Sequence, residues 1–295
     1  MIEIKKCPIC DNNKFLKFIK CIDHSVSKES FNLQKCESCN FVLTNPRPNN
    51  VDLNNYYKSD KYISHTNKKD GFFNKLYQFI RKIAIRKKLS LIKKYKKNIT
   101  ILDIGCGTGE FLYACKKRKW DVIGIEPSGL ASKKAKENYD LQIVESISSK
   151  KLKNKNYNII TMWHVLEHVT EINETLLSIK KLLAEDGYLI IAVPNYKSYD
   201  ASYYKEYWAA YDVPIHLWHF SEKTISTLLK KYNLSLIKKK GMIFDSFYVS
   251  LLSEEFKYGK KNFLKAAIVG LKSNFLALIG KKDYSSMIYI FKNTK

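Results

Sequence analysis

From Ile99 onward, short apolar blocks alternate with longer amphipathic stretches. Blocks of strand length lie at Ile99 to Gly105, Asp121 to Glu126, Gln142 to Val144, Asn158 to Trp163, Tyr188 to Val193, Leu234 to Lys239 and Ser286 to Phe291. The stretches between most of them suit helices, so the chain reads as α/β, with a Rossmann-like doubly wound sheet that binds ligands at the carboxyl ends of its first strands. One helix is sharply patterned: between Asn262 and Ile279, apolar residues at Phe263, Leu264, Ala267, Ile268, Leu271, Phe275, Leu278 and Ile279 share a face. The ordinary use of such a face is to pack on the sheet or a lid; the other is to lie in a membrane interface. Lys265 and Lys272 interrupt it, and the longest continuous apolar run of the core, Leu189 to Val193, is only strand-sized, so no transmembrane helix is expected.

The first block runs into Asp103-Ile104-Gly105-Cys106-Gly107-Thr108-Gly109, followed by helix formers from Glu110 to Lys119. Strand, glycine turn and helix in that order bring backbone close to a nucleotide, where a side chain would block the approach. The spacing is D-x-G-x-G-x-G rather than the G-x-G-x-x-G of dinucleotide sites. A carboxylate at Asp103 repels a pyrophosphate but suits a ligand carrying an ammonium group, such as S-adenosylmethionine. The second strand ends in Glu126, 17 positions after Gly109, where a carboxylate can accept both ribose hydroxyls.

Three segments taken together, Leu102 to Gly109, Val122-Ile123-Gly124-Ile125-Glu126-Pro127-Ser128 and Met162-Trp163-His164-Val165-Leu166-Glu167-His168-Val169, resemble the class I S-adenosylmethionine-dependent methyltransferases over roughly residues 99 to 240. The resemblance implies a seven-stranded sheet with an antiparallel last strand. It also implies a cofactor held by Asp103, Gly105, Cys106, Gly107, Gly109, Glu126, Pro127 and Trp163. In deoxysugar C-methyltransferases that carry an N-terminal zinc ribbon, a Glu-His pair at the corner after the fourth strand does proton chemistry, and Glu167-His168 matches it; in many other methyltransferases the pair mainly ties the turn together. If that turn is helical, His164 and His168 share a face. Further on, Asp212-Val213-Pro214-Ile215-His216-Leu217-Trp218-His219-Phe220-Ser221 resembles the D-x-P-R-H-L-x-H-F-S run of the ubiquinone-methyltransferase-like and glycan-cluster branch, with Ile215 in place of the arginine. Residues 194–220, rich in aromatics, read as a substrate lid. His168, His216 and Glu167 are the catalytic candidates, His219 is expected to pack on a helix begun by Ser221 and Glu222, and no acidic cluster suited to magnesium is visible.

Seven cysteines divide into two sets. Cys7-Pro8-Ile9-Cys10 and Cys36-Glu37-Ser38-Cys39 are knuckles that together can close a tetrahedral site, expected to hold structural Zn2+ with no open coordination position. Cys21 and His24 would serve only if one of those thiols did not, and Cys106 and Cys115 read as buried. The expected organisation is a zinc-ribbon-like module at 1–48, a helical linker over the cofactor at 49–98 and the methyltransferase domain at 99–295. Tyr56, Tyr57 and Tyr62 either cover the cofactor mouth or pack the linker down.

Charge changes this picture least. The net charge is +24, from 52 Lys and Arg against 28 Asp and Glu, but lysine is scattered throughout. The densest cluster, Arg81 to Lys97, alternates with apolar residues as a solvated amphipathic helix does. Where charge has a partner, membrane headgroups come ahead of nucleic acid; Thr161-Met162-Trp163-His164 also stands where a base-flipping enzyme would carry Asn-Pro-Pro-Tyr. The expected acceptor is a small molecule, a sugar of a surface polysaccharide or a lipid-linked precursor, with a quinone-like or lipid phenol, or a role in nucleic-acid binding or modification, as alternatives. No apolar leader follows Met1, so a cytoplasmic protein is expected, in contact with the inner membrane face if its acceptor is lipid-linked.

Overall fold

A computed structural model describes residues 1–57, 72–153 and 155–294. Tyr62 lies outside them. The strands of the main sheet are β4 (Thr100–Ile104), β5 (Asp121–Ile125), β6 (Ile143–Val144), β7 (Tyr157–Trp163), β8 (Leu183–Pro194), β10 (Leu234–Gly241) and β11 (Ser286–Asn293). Their order is β10-β11-β8-β7-β4-β5-β6. Strand β11 runs antiparallel to both β8 and β10, and the other pairings are parallel.

Strand β8 explains why the central blocks read as unbroken apolar runs. Flanked by β7 and β11, with layers on both faces, its residues Leu189 to Val193 have no solvent exposure. Leu189, Ile190, Ile191 and Val193 each contribute about 1.5–3 kcal/mol by burial. The strand begins at Leu183 rather than Tyr188, because Leu183 pairs with Tyr157 across a register shift, which the polar Glu185-Asp186 hides in the sequence.

A second sheet is antiparallel, in the order β1 (Phe15–Ile22), β2 (Ser30–Cys36), β3 (Val42–Thr44) and β9 (Trp218–His219). Strand β9 comes from the expected lid: Val42 pairs with His219 and Leu43 with Trp218. The N-terminal module and the lid therefore share one sheet, which two residues of strand were too short to announce. The helices that matter for the site are α1 (Asn50–Leu53), α2 (Phe72–Ile92), α3 (Glu110–Lys116), α4 (Gly129–Tyr139), α5 (Ile172–Leu182), α6 (Tyr199–Tyr204), α7 (Glu222–Lys230), α8 (Asp245–Tyr258) and α9 (Phe263–Leu278). Ser221 caps α7 in a capping box with Thr224. The expected inward packing of the apolar face of α9 is not what the structure has: its large apolar residues point outward.

Candidate active site

The turn after β4 is held by glycine where nothing else fits. Gly105, Gly107 and Gly109 all have positive φ, 71°, 55° and 85°. A Cβ on Gly105 would fall 2.4 Å from Val165 Cγ2, and one on Gly109 would fall 2.7 Å from Leu141 Cδ1. At Gly107 a Cβ would meet nothing within 4 Å, so this residue marks the open side of the cradle. The Gly105 and Cys106 N–H groups both donate to Ile125 O, at 2.8 and 3.0 Å, tying the turn to β5. Cys106 is buried beneath the turn against Gly124, so a ligand above meets its backbone rather than its thiol.

Two carboxylates face this turn. Glu126 accepts from Gly107 N at 2.8 Å and Ser128 N at 2.9 Å, which leaves lone pairs on each oxygen for paired hydroxyls. Pro127, between these residues, is exposed at the rim. Asp103 is 2% exposed and accepts a 2.6 Å hydrogen bond from Thr161 Oγ1. Burial raises its carboxyl to about 7, against the opposing pull of Thr161 and the Lys88 charge. Lys88 comes from α2 and places Nζ 4.1 Å from the Trp163 ring centre; burial draws its ammonium down to about 8 although Asp103 and Asp245 favour the charge. Trp163 stands edge-on to Phe111, and its buried Nε1 has no hydrogen-bond partner among the described residues.

The second half of the site lies past the end of β7. His164 has φ 57°, so the chain turns back there rather than entering a helix. His164 and His168 consequently do not share a helical face. His164 sits between carboxylates, Nδ1 3.4 Å from Glu167 and Nε2 3.3 Å from Asp245 on α8. Burial favours its neutral ring, but the two carboxylates outweigh burial and hold it up to about 9. Glu167 is 1% exposed, and among the described residues its carboxylate has only the ion pair with His164, whose charge holds it ionised in spite of burial.

His168 and His216 meet edge to face, with ring centres 4.6 Å apart. His168 Nδ1 lies 3.1 Å from both Ile215 O and Tyr57 Oη, and His216 Nδ1 lies 2.9 Å from Ala210 O. A carbonyl can only accept, so each Nδ1 carries a proton; His216 Nε2 lies 4.0 Å from the Asp212 carboxylate. Burial, reinforced by the neighbouring His216, pushes His168 down to about 3. Ligand atoms of Glu167, His168 and His216 all lie within 4.8 Å of one another, so the fold assembles a mixed group able to hold a cation where the sequence shows no acidic cluster. His219 is not part of it: its Nε2 lies 3.1 Å from Thr44 Oγ1, between lid and N-terminal module.

Next to the start of β3, Cys7, Cys10, Cys36 and Cys39 form the other converging group among the described residues. The Sγ atoms of Cys7 and Cys39, and of Cys10 and Cys36, are 3.5 Å apart. Those separations exceed a disulfide and approach the roughly 3.8 Å edge of a tetrahedron with 2.3 Å metal–sulfur bonds, so the four thiols fit a zinc ribbon. Cys21 is buried elsewhere, beside Tyr211, and His24 stacks on Phe256 at 4.6 Å.

Sequence reasoning missed Lys88 and Asp245. Lys88 was hidden in a run that reads as solvated, and Asp245 has no motif around it. Of the tyrosines, Tyr57 reaches the site at His168, whereas Tyr56 donates to Glu29 and packs edge-on against Phe31 of the N-terminal sheet.

A family profile described as "Methyltransferase domain" matches residues 76–239. A ubiquinone biosynthesis O-methyltransferase of Pelagibacter ubique is 32% identical over 197 residues, covering 60% of this chain and 81% of that protein. One of the same description from Rickettsia bellii is 26% identical over 214 residues, 66% of this chain and 87% of the relative. Among solved structures, a magnesium protoporphyrin IX methyltransferase from Synechocystis with bound SAH superposes with a TM-score of 0.54 at 11% identity, over 83% of this chain and 100% of that one, a likeness of fold. With the glycine cradle, the two placed carboxylates and the sheet order already in view, the profile match assigns the chain to the S-adenosylmethionine-dependent methyltransferase family.

Proposed function

We propose that the protein is an O-methyltransferase whose acceptor is the phenolic hydroxyl of a small, quinone-like molecule. Bound S-adenosylmethionine supplies an activated methyl group on a sulfonium. The residues around it fit such a ligand: a buried Asp103 for an ammonium, Glu126 for ribose hydroxyls and Gly107 for close backbone approach. What remains for the protein is in-line positioning and removal of the acceptor proton.

The observation that carries the reading is the pair of imidazoles beside the ionised Glu167, each with Nδ1–H committed to a backbone carbonyl, with burial keeping His168 neutral and its Nε2 free to act as the base. The acceptor O–H donates to one Nε2, and the Glu167 carboxylate stabilises the imidazolium that results. His168 is a weak base, held near 3. A neutral imidazole is better matched to a phenol, with an ordinary pKa of about 10, than to the less acidic hydroxyl of a sugar. The ubiquinone O-methyltransferase relatives support the same choice. The four thiols of the N-terminal module would hold zinc in a closed, structural site, and the Val42 to His219 pairing would pass its rigidity to the lid.

Incubating the enzyme with a cell extract and deuteriomethyl S-adenosylmethionine tests this. The expected product is one labelled methyl group on an apolar phenol. A labelled sugar or glycan in its place would overturn the phenol assignment, and a labelled nucleic acid would overturn the small-molecule one.

A further inference from the structure

Helix α9 is built inside out. Its buried residues are Ala266, Val269, Gly270 and Ser273, whereas Leu264, Ile268, Leu271, Phe275 and Leu278 are exposed, Leu264 and Leu278 by 73% and 75%. The inward face is small because α8 lies close: a Cβ on Gly270 would fall 2.7 Å from Phe247 Cδ1, and Ser273 Oγ donates to the buried Asp200 at 2.7 Å. A helix that only packs on its own protein does the reverse, burying large apolar residues and presenting polar ones. The outward residues recur at i, i+4, i+7, i+11 and i+14, a straight stripe about 21 Å long.

Cations frame the stripe. From Phe256 to Lys282 the chain has seven lysines, at 257, 260, 261, 265, 272, 281 and 282, and no aspartate or glutamate; Glu254, Glu255 and Asp283 border the stretch, with Lys261 3.7 Å from Glu255 and Lys265 3.8 Å from Glu254. Lys260 and Lys261 precede the helix and Lys281 and Lys282 follow it, all exposed. Among the described residues no helix is long and apolar enough to cross a membrane.

We propose that α9 docks the protein on the surface of an anionic phospholipid bilayer, its apolar stripe in the acyl boundary and its flanking lysines among the headgroups. A second copy of the chain is a poorer occupant, because two stripes, each flanked by the exposed Lys260, Lys281 and Lys282, would meet with like charge. A nucleic acid would leave the stripe in water. Helix α9 packs on α8 and α6, and α8 carries Asp245 to His164, so the docking helix belongs to the layer that lines the acceptor side. The inference stands apart from the identity of the acceptor, and it is read without cofactor or methyl transfer.

The test is co-sedimentation of the full chain with vesicles of phosphatidylcholine alone and with about one-third phosphatidylglycerol. The protein should pellet with the anionic vesicles. Binding should fall at least about tenfold in the Leu264→Asn/Leu271→Asn/Leu278→Asn variant and in the Lys260→Ser/Lys261→Ser/Lys281→Ser/Lys282→Ser variant. Unchanged S-adenosylmethionine affinity in both would show that the fold survives. No pelleting with anionic vesicles, equal pelleting with neutral ones, or undiminished binding by both variants would overturn the proposal. So would light scattering that finds a dimer which the leucine variant converts to monomer.

Discussion

The cofactor half of the site and the acceptor half are built on opposite plans. Asp103, the three glycines and Glu126 come from two consecutive strand-to-helix turns, within residues 103–126, with Thr161 of the neighbouring β7 donating to Asp103. The acceptor half gathers Tyr57, Glu167-His168, Ile215-His216 and Asp245 from four distant segments. It depends on lid and N-terminal module sharing a sheet. The cofactor half is thus a local device, able to hold its ligand while the acceptor half varies. The acceptor half is a product of tertiary packing.

The largest expected effect breaks the two halves apart. His168→Ala/His216→Ala should lower kcat by about 10³-fold, the scale of general base catalysis, while S-adenosylmethionine affinity stays within about twofold. Equal losses in binding and turnover would mean that the halves are not separable. Next, Asp103→Ala should weaken S-adenosylmethionine by about 100-fold, the scale of removing one partner of a buried charged pair, as read by calorimetric titration. Third, Cys36→Ser, which removes one thiol of the proposed zinc site from the module that pairs with β9, should cost about 2 kcal/mol of stability and loosen the lid. Hydrogen exchange at Trp218 and His219 would report that coupling, and unchanged protection there would refute it.

The smallest effects sharpen the electrostatics of the cofactor half. Asp103 titrates near 7, raised by burial, and an ammonium ligand prefers its ionised form. S-adenosylmethionine affinity should therefore rise with pH and level off above 7, with a gain of up to about tenfold between pH 6 and 8. Because the Lys88 charge lowers the Asp103 carboxyl, Lys88→Met should move the midpoint of that profile to higher pH. A midpoint that stays put would show that Lys88 is not felt at Asp103.

These contrasts also explain what the sequence made legible. The glycine turn, the seven main strands and the cysteine knuckles announce themselves because their spacing is local: a strand needs its own apolar run, and a knuckle needs two thiols on one turn. The start of β8 at Leu183 was hidden by Glu185-Asp186, and β9 by its length of two residues. Lys88 reads as one more surface lysine until α2 is laid against Trp163. The apolar face of α9 was legible as a face, but not its direction. Only the small residues opposite it, Ala266, Gly270 and Ser273, hint that the large side is turned outward.

The most direct test of the separation is calorimetric titration of S-adenosylmethionine into the native chain, Asp103→Ala and His168→Ala/His216→Ala side by side. Binding by the native chain and the double histidine variant with nearly equal affinity, and at least about 100-fold weaker binding by Asp103→Ala, is the expected result. Native-like binding by Asp103→Ala, or loss of binding in the histidine variant, would contradict the account.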